Sequence, residues 1–547
     1  MTNFDVIIIG GGHAGVEAAA ASARCGAKTL LLTQSISDLG ALSCNPSIGG
    51  PGKSQMVAEI TALGGVMGRA ADKSGIHWRT LNATHGAATQ ALRAQIDRNL
   101  YHTATMDILG EYEKLTIQFE TVSDLDFANA TVNNKYHARA IVLTTGTFLD
   151  GVVTRGNEKI PSGRLQDDGT YQAADKNISK FLTDNGFKLM RLKTGTPARI
   201  RRDSIDFSVC EVQSGDTPHD WFADGDENNN LESVCFITHT NETTHNVIRE
   251  NIKDAPMYNG DIRGTGPRYC PSLEDKVMRF PEHTSHHVFL EPEGYDSELI
   301  YPNGISTSFG SDIQDKWIRT IAGLENAVID RYGYAIEYNA IDARMLNSKL
   351  QSVDVPHLFF AGQINGTSGY EEAAAQGLVA GANAAAYACG LEYLNLDRTN
   401  AMIGVLIDDI TTLGVDEPYR MFTSRAEYRL SLRSDNAIAR LGPIGIRLGL
   451  ISDEWYKKIY NIKKDIITEN DKFYAGYIAR NEREIAAYKR DAELKIPADF
   501  VYTGMAGLTN ELVEKLNATR PANIAELSRI PGMTPAGIMV VLRKIKS

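Results

Sequence analysis

The chain has 547 residues, of which 43% are hydrophobic and 23% are charged, and its formal net charge is −12. This length is too great for one hydrophobic core, so the sequence predicts a globular protein of two to four domains. The acidic balance excludes a general electrostatic attraction to nucleic acid, so any contact with RNA requires a local basic patch.

The patterns of apolar residues and cysteines indicate a cytoplasmic protein. No apolar run approaches the length that spans a membrane, and the first predicted strand begins at residue 4, so we expect no leader peptide and no membrane contact. The twelve histidines and the cysteines show no metal-ligand or CxxC spacing, which fits a reducing cytosol. The six cysteines are Cys25, Cys44, Cys210, Cys235, Cys270 and Cys389.

A glycine-rich turn near the N terminus dominates the interpretation of the sequence. Residues 4–9 are an apolar, β-branched run that predicts a buried strand, and the alanine-rich residues 16–27 predict a helix. Between them stand Gly10, Gly11, Gly12, His13, Ala14 and Gly15. Gly10 permits the tight turn, Gly12 lets the backbone approach a pyrophosphate, and Gly15 lets the helix pack on the strand. This order predicts a dinucleotide site; the alternative is a glycine turn that binds no nucleotide.

The second predicted strand, residues 28–33, ends in Thr33 and Gln34 rather than in the acidic residue that usually binds the ribose. Another group therefore holds the ribose, or the site is not a typical NAD site. The Gly- and Pro-rich residues 42–53 predict an ordered loop that could lie along the isoalloxazine side of a bound flavin. Cys44 in this loop is either a reactive thiol or a small buried hydrophobic side chain.

Residues 55–100 predict mainly helix, with a solvated mixed-charge face over residues 93–98. Residues 115–145 alternate as short strands and end in a Thr-Gly pair. Such a pair is typical of a flavoprotein strand that passes close to the cofactor, although it also fits a plain strand-to-loop glycine. Residues 192–197 predict a loop at the boundary of an inserted region.

Residues 200–340 differ in character, with Asp- and Asn-rich loops and short alternating runs. Cys270 stands here in a Gly- and Pro-rich loop beside Arg268, whose charge would favour a thiolate or bind a phosphate. The alternative is a structural turn with a buried thiol. Residues 301–306 predict a turn and nothing more.

A second strand, glycine and helix unit follows the insertion. Residues 356–361 predict a buried strand that stops at Gly362 and Gln363, and a small-residue helix begins near Glu371. Two such units separated by an insertion are the layout of a two-dinucleotide FAD/NAD(P)H oxidoreductase. The predicted fold class is therefore α/β, a two-dinucleotide-binding (Rossmann-like) FAD domain with an inserted α+β domain and an all-helical C-terminal domain. The expected boundaries are 1–198 and 344–400 for the FAD-binding domain, 199–343 for the insertion and 401–547 for the helical domain.

From about residue 400 the pattern predicts helices to the C terminus. Arg425, Arg429 and Arg433 have the i, i+4, i+8 spacing of one helical face. Three aromatic residues are interleaved with them: Tyr419, Phe422 and Tyr428. Arginines beside aromatic rings suit RNA phosphates and stacked bases. The alternative, which the sequence alone favours, is a helix face whose arginines pair with neighbouring acidic residues.

Seven motifs spread over nearly the whole chain carry a family resemblance. They are residues 10–15, 43–46, 145–148, 191–197, 266–271, 361–366 and 418–425. In these motifs the chain resembles the MnmG (GidA) family, the flavoprotein half of the bacterial and mitochondrial enzyme that modifies the wobble uridine of certain tRNAs.

The resemblance implies a set of site residues. The expected FAD contacts are Gly10, Gly11, Gly12, His13, Ala14, Gly15, Val122, Ser179, Gly362 and Gln363. The expected NAD contacts are Gly266, Pro267, Arg268, Tyr269, Cys270, Pro271, Ser272, Leu273, Glu274, Asp275, Lys276, Val277, Met278, Arg279 and Phe280. The expected catalytic thiols are Cys44 and Cys270. We assign tRNA binding to Arg420, Arg425, Arg429 and Arg433.

The implied chemistry is reductive. NADH reduces FAD, and a one-carbon unit from methylenetetrahydrofolate reaches carbon five of the uracil, where glycine or ammonium supplies the nitrogen of a carboxymethylaminomethyl or aminomethyl group. The GTPase MnmE is the implied partner, in a heterotetramer with a homodimer of this chain. Because carbon five becomes nucleophilic only after a group adds at carbon six, a thiolate suits that addition. We assign it to Cys270 and give Cys44 the role of acid/base or second thiol; the exchanged assignment stays open.

The sequence departs from the family in two places. Several dozen residues usually found between positions 466 and 474 are absent, and residues 85–90 replace a segment that the family writes with Lys, Pro and Arg. Three other functions remain as alternatives. They are a folate- and FAD-dependent tRNA uridine C5-methyltransferase, which lacks the long helical C terminus, a plain NADH:flavin oxidoreductase that binds no RNA, and a non-catalytic flavin-bearing binding protein or scaffold.

Overall fold

The computed structural model describes residues 2–166, 168–226, 229, 231–269, 271–492, 494–528, 530, 532–533 and 535–546. The elements up to residue 196 are, in chain order, β1 (Thr2–Ile9), α1 (His13–Arg24), β2 (Thr29–Thr33), β3 (Ser47–Gly49), α2 (Lys53–Ala62), α3 (Val66–Ser74), β4 (Gly75–Leu81), β5 (Ala91–Ile96), α4 (Arg98–Gly110), β6 (Leu115–Phe119), β7 (Leu125–Asp126), β8 (Thr131–Val132), β9 (Tyr136–Leu143), β10 (Val152–Arg155), β11 (Glu158–Leu165), β12 (Tyr171–Ala173), α5 (Asn177–Asp184) and β13 (Leu189–Thr196).

The remaining elements follow in the same order. From residue 199 to 341 they are β14 (Arg199–Arg201), β15 (Glu211–Gln213), β16 (Cys235–His239), α6 (Glu242–Glu250), α7 (Leu273–Arg279), β17 (His287–Pro292), β18 (Leu299–Asn303), α8 (Ser311–Ile318), β19 (Ile329–Arg331) and β20 (Tyr334–Ile341). Beyond them lie β21 (Leu358–Phe360), α9 (Tyr370–Cys389), α10 (Met402–Asp408), α11 (Ala437–Arg447), α12 (Asp453–Ala492), α13 (Asn510–Thr519), α14 (Ile524–Ser528) and α15 (Pro535–Lys546).

A parallel sheet organises the N-terminal part of the chain. Its strands β6, β2, β1 and β9 lie side by side, and β21 joins them from the second half of the chain by pairing with the C-terminal end of β9. The C-terminal half of β1, residues 6–9, is buried, as expected of a strand that is covered on both faces. The predicted α/β fold with two strand-to-helix units is confirmed.

The helices of the two strand-to-helix units, α1 and α9, pack directly on each other. A Cβ atom added to Gly377 or Gly381 of α9 would lie 2.1 or 2.2 Å from the carbonyl oxygens of Ala14 and Ala18 in α1. Glycine is therefore needed at both positions, because any side chain would separate the helices. The close contact brings the N-terminal ends of the two helices to the same edge of the sheet, where the rings of His13 and Tyr370 stack at 4.7 Å.

Two antiparallel sheets complete the central part of the chain. One has the strand order β12-β11-β10-β20-β13, and the other has the order β15-β16-β17-β18-β14-β19. The second sheet has its own hydrophobic core, which includes Ile200, Leu290, Ile300 and Trp317 and contains no residue outside positions 198–329.

The predicted helix over residues 55–100 is wrong in its second half. Strands β4 and β5 form an antiparallel pair there, and β5 also pairs with the short β3. The solvated face predicted for residues 93–98 is wrong as well: Arg93 forms a 2.5 Å ion pair with the buried Glu291, and Asp97 caps α4 through its carboxylate. Glu291 stands 198 positions from Arg93 in the chain, so the local pattern held no sign of this ion pair.

The predicted continuous helix through Arg425, Arg429 and Arg433 is also wrong. Residues 414–436 follow an irregular path with one short 3₁₀ turn, and the next helix, α11, begins only at residue 437. Beyond it, α12 runs for 40 residues, and α13 to α15 lie around a small separate core that includes Leu512, Leu516 and Val541. In the described part of the chain no helix is both long and apolar enough to cross a membrane.

Candidate cofactor and substrate cavity

A cavity of about 500 Å³ opens at the C-terminal ends of the parallel strands. Its wall includes the glycine turn after β1, residues 144–148 after β9 and residues 361–363 after β21. In open α/β sheets this edge is where ligands bind, because the helix N termini and the strand-end loops converge there. Residues of the central antiparallel sheets close the other side of the cavity.

The glycine turn has the geometry that a bound pyrophosphate requires. Gly10 has φ of +110°, and a Cβ on Gly15 would lie 1.8 Å from the Gly10 carbonyl oxygen, so both positions need glycine for the turn itself. A Cβ on Gly12, by contrast, would meet no described atom within 4 Å. Gly12 is the N-cap of α1 and has no side chain that could accept a hydrogen bond from the first-turn amides. The first-turn amides therefore face open space suited to an anion.

The start of α9 differs from the start of α1 because it carries its own negative charge. Glu371 and Glu372 stand in its first turn, and the ammonium group of Lys53 lies 2.6 and 3.1 Å from their carboxylates. The amide of Gly49 also donates to Glu371. Acidic side chains at a helix N terminus occupy the position that an anion would take. The pyrophosphate is therefore expected at α1, and α9 forms the wall beside it.

His13 is a neutral packing residue of the glycine turn. Its ring is buried between Tyr101 and Tyr370. Burial lowers its pKa to about 4, and the nearby Lys53 adds to this effect, which the charge of Glu371 partly opposes. An uncharged imidazole adds no positive charge of its own at the phosphate site, so the backbone amides supply the attraction.

Two acidic residues lie in the cavity near the end of β2, where the sequence lacks the acidic residue that usually binds the ribose. Asp38 lines the cavity and accepts a 2.8 Å hydrogen bond from the hydroxyl of Thr33, the last residue of β2. Glu120, directly after β6, also lines the cavity. Because β6 pairs in parallel with β2, the ends of the two strands meet at one edge. Neither residue was predicted; the pairing of β2 with β6 is the signal that would have found Glu120.

Cys44 lies in the wall of the same cavity, with its thiol partly exposed. Its sulfur is 3.1 Å from the hydroxyl oxygen of Tyr301 and 3.8 Å from the Gly195 carbonyl oxygen. Its amide donates a 2.6 Å hydrogen bond to the hydroxyl oxygen of Tyr370, and its carbonyl accepts from Arg98. This geometry fixes the backbone and points to a positioned thiol rather than to a side chain of the hydrophobic core.

Two segments that were predicted as a turn and a loop contribute to this site. Residues 301–306 are not merely a turn, because Tyr301 belongs to strand β18 and contacts the Cys44 thiol. Residues 192–196 are not a loop but the end of strand β13, which pairs with β20 along its whole length. Both corrections have one cause: antiparallel pairing with distant strands overrides a local preference for turns.

Only part of the predicted NAD segment reaches the cavity. Tyr269, Pro271 and Lys276 line it. The helix α7 begins after the cap residue Ser272, and three of its residues face inward: Leu273 and Val277 belong to the hydrophobic core, and the buried Glu274 accepts hydrogen bonds from Thr307 and Ser308. On the outer side, Met278, Arg279 and Phe280 are exposed. Cys270 lies outside the described residues.

The predicted FAD contacts also include residues that line the cavity and residues that do not. Val122, Gly362 and Gln363 line the cavity together with residues 10–14 of the glycine turn. Ser179 does not reach it, since its hydroxyl accepts a 2.9 Å hydrogen bond from the Asn339 amide and its side chain is buried in α5.

The four predicted tRNA-binding arginines occupy different environments. Arg420 lines the cavity, and Arg429 is exposed. The Arg425 guanidinium lies 4.2 Å from the centre of the Tyr419 ring. Arg433 is 0% exposed and pairs with Asp435 at 3.0 Å and with Asp471. The alternative of internal ion pairs is therefore correct for Arg433, which has no free surface for RNA.

A parallel sheet with two glycine-rich strand-to-helix turns that open onto one cavity defines a dinucleotide-binding α/β protein. The sequence matches the family described as glucose inhibited division protein A over residues 5–392, and the C-terminal helical bundle of the tRNA modifying enzyme MnmG/GidA over residues 484–547. The chain thus belongs to the MnmG/GidA family of tRNA-modifying flavoproteins, and the resemblance seen in the sequence is confirmed.

Two solved structures of GidA from Aquifex aeolicus are similar over the full length. The form II crystal structure is 40% identical in sequence, and its TM-score is 0.87. The match covers 100% of the present chain and 99% of the Aquifex chain. The form I crystal structure is 42% identical in sequence and also has a TM-score of 0.87. The match covers 99% of the present chain and 100% of the Aquifex chain. The family's cofactor is FAD, and the open space over Gly12 and the cavity beyond it fit that cofactor.

Proposed function

We propose that this enzyme, with FAD and NADH, adds a carboxymethylaminomethyl or aminomethyl group to carbon five of the wobble uridine of tRNA. Methylenetetrahydrofolate supplies the carbon unit, and glycine or ammonium supplies the nitrogen. The observation that carries the proposal is the place of Cys44: its thiol lines the same cavity as the glycine turn and is held between Tyr301 and Gly195. A flavoprotein that only passed electrons to a soluble acceptor would not require this thiol.

The residues around Cys44 position it for proton transfer or attack on a base. Hydrogen bonds from Arg98 to its carbonyl and from its amide to Tyr370 hold the loop from both sides. The Tyr301 hydroxyl, 3.1 Å from the sulfur, is close enough to exchange a proton with the thiol. In the proposed division of roles, Cys270 adds to carbon six of the uracil and Cys44 moves the proton or serves as second thiol.

FAD, when bound, supplies the reducing equivalents that come from NADH. Residues 10–15 would hold its pyrophosphate, and Val122, Gly362 and Gln363 would contact the rest of it. Within the predicted NAD segment, the proposed contacts with the nicotinamide nucleotide are Tyr269, Pro271 and Lys276, which line the cavity. The core positions of α7 instead shape the wall on which a nicotinamide nucleotide would lie.

Arg420, Arg425 and Arg429 are the proposed tRNA contacts. With a net charge of −12, the chain needs a local group of cations to attract RNA. The wobble base stands in a single-stranded loop, so it can enter a protein cavity without the opening of a duplex. We further propose a cytoplasmic homodimer that works with the GTPase MnmE.

The test is nucleoside mass spectrometry of tRNA from a deletion strain that carries variants of this chain. Cys44→Ser and Cys270→Ser should each leave unmodified wobble uridine while the purified protein keeps its FAD. Cys389→Ser is the matched control, because this cysteine is exposed at the end of α9 and outside the cavity wall, and it should restore the modification. Full modification in the Cys44→Ser strain would refute the proposed role of this thiol.

A further inference from the structure

One corner of the second antiparallel sheet faces the Cys44 loop. Strands β17, β18 and β14 are neighbours in that sheet. Glu293 directly follows β17, Tyr301 lies within β18 and Arg199 begins β14. Because side chains of adjacent strands meet across a sheet, these three residues come together although they are distant in the chain. Tyr301 is also the residue whose hydroxyl oxygen lies 3.1 Å from the Cys44 sulfur, so Cys44 and Tyr301 form a thiol–phenol pair at this corner.

Arg199 contacts both members of the thiol–phenol pair. Its guanidinium carbon lies 4.6 Å from the centre of the Tyr301 ring. Its Nη2 atom donates to the carbonyl oxygens of Ser43 and Cys44, both at 3.4 Å. Its Nη1 atom donates to oxygen atoms of residues 196 and 197, at 2.8 and 2.7 Å. A planar guanidinium group can make all these contacts at once, because its face stacks on the ring while its edge donates hydrogen bonds.

Glu293 orients the two arginines that hold the Cys44 carbonyl. Its Oε1 atom accepts from Nε of Arg199 at 2.6 Å and from Nη2 of Arg98 at 2.7 Å. Arg98 in turn donates to the carbonyl oxygen of Cys44. Arg331 contacts the other carboxylate oxygen of Glu293 at 3.4 Å. One carboxylate therefore fixes the position of both arginines against the loop.

The Glu293 carboxylate is buried and charged. Its side chain is 4% exposed. Burial opposes ionisation, but the guanidinium groups of Arg98, Arg199 and Arg331 outweigh it and lower the pKa of Glu293 to about 2. Hydrogen bonds between charged groups are stronger than those between neutral groups. Apolar residues can often replace a buried ion pair without a loss of stability, so its presence behind a reactive thiol points to a role in the site.

We propose that Arg199 and Glu293 are positioning residues that hold the Cys44 thiol at the Tyr301 hydroxyl. The inference rests on the proposed function, in which Cys44 moves a proton or serves as second thiol. Proton transfer needs heavy atoms about 2.6–3.2 Å apart, and a displacement of about 1 Å can cost roughly 100-fold in rate. Neither positioning residue belongs to the described wall of the cofactor cavity, so both act through the residues they hold.

The experiment uses two variants that keep the charges, Arg199→Lys and Glu293→Asp. Lysine lacks the planar face and the five donors of arginine, and aspartate draws the carboxylate back by one methylene group. The FAD-loaded proteins are treated with iodoacetamide, and alkylation of each cysteine is followed by peptide mass spectrometry. We expect Cys44 to react roughly fivefold faster or more in both variants, because its sulfur is released from the Tyr301 hydroxyl.

Two controls separate this local effect from a general loss of structure. Cys235 is 2% exposed and should stay protected in both variants, which excludes global unfolding. Arg69→Lys is the matched variant: Arg69 is also largely buried and lies 2.7 Å from Glu111, but it belongs to α3 and to no described cavity wall. This variant should leave the alkylation of Cys44 unchanged. The FAD content of each protein is measured alongside.

The same variants are expressed at a limiting level in the deletion strain. Arg199→Lys and Glu293→Asp should reduce the modified fraction of the wobble uridine about tenfold or more without a change in tRNA affinity, while Arg69→Lys should restore it. Three results would overturn the proposal: unchanged alkylation of Cys44, a parallel rise for Cys44 and Cys235, or full modification by both variants where Cys44→Ser is inactive.

Failure of the proposed function gives a different result. Full modification by Cys44→Ser would show that the reaction does not need this thiol. The alkylation rates would then still decide whether Arg199 and Glu293 hold it, because that measurement does not depend on tRNA modification.

Discussion

The glycine turn allows a sharp separation of cofactor binding from protein stability. Gly12 has φ of −67° and ψ of −177°, which alanine adopts without cost, and a Cβ at this position would meet no described atom within 4 Å. The Gly12→Ala methyl group would stand instead in the space assigned to the pyrophosphate. We therefore expect the variant apoprotein to be as stable as wild type and to bind FAD more weakly.

The magnitude follows from the contacts that the methyl group would displace. A hydrogen bond between a backbone amide and a charged phosphate contributes about 1.5–3 kcal/mol, so the loss of one predicts a Kd for FAD that is roughly 10- to 100-fold higher. Gly15→Ala should behave differently, because its Cβ would lie 1.8 Å from the Gly10 carbonyl oxygen and must destabilise the protein itself.

The assay combines urea unfolding of the apoprotein with fluorescence titration of FAD. Gly110→Ala is the control: this glycine ends α4, and an added Cβ there meets no described atom within 4 Å, so neither FAD affinity nor folding should suffer. If Gly12→Ala binds FAD as tightly as Gly110→Ala does, the pyrophosphate does not lie over Gly12 and the cofactor assignment is wrong.

Three further predictions concern charge. Arg433→Gln should lower the free energy of unfolding by about 3 kcal/mol, because it leaves the largely buried Asp435 without its cation, while Arg429→Gln on the exposed surface should change it by about 0.5 kcal/mol or less in the same urea titration. The three arginines around Glu293 lower its pKa in the folded protein to about 2. The ionised carboxylate therefore stabilises the fold above the unfolded-state pKa of about 4.5, and this contribution, about 3 kcal/mol, is lost as the pH falls from 4.5 towards 2. Acid titrations of Glu293→Gln should not show this loss. The double variant Arg425→Ala, Arg429→Ala should weaken tRNA binding and flatten its dependence on salt in filter binding, and an unchanged salt slope would remove these residues from the RNA surface.

Local patterns in the sequence were sufficient for the dinucleotide turn. A short strand with five apolar residues, three glycines at fixed spacing and an alanine-rich helix occupy adjacent positions, so the backbone conformation depends on neighbours within the same segment. The same holds for the second unit around Gly362. The motif at Cys44 likewise pointed to an ordered loop, and the structure has that loop in the cavity wall.

The tertiary structure decided which side chains meet. Tyr301 contacts Cys44 across 257 positions of the chain, and Glu291 accepts a hydrogen bond from Arg93 across 198 positions. Arg433 was assigned to tRNA binding, yet its side chain is 0% exposed and pairs with the half-exposed Asp471 of α12. Hydrophobic periodicity records which faces are buried, but a charge or a hydroxyl group acquires its role only from its partner, and pairing between distant segments leaves no local pattern in either segment.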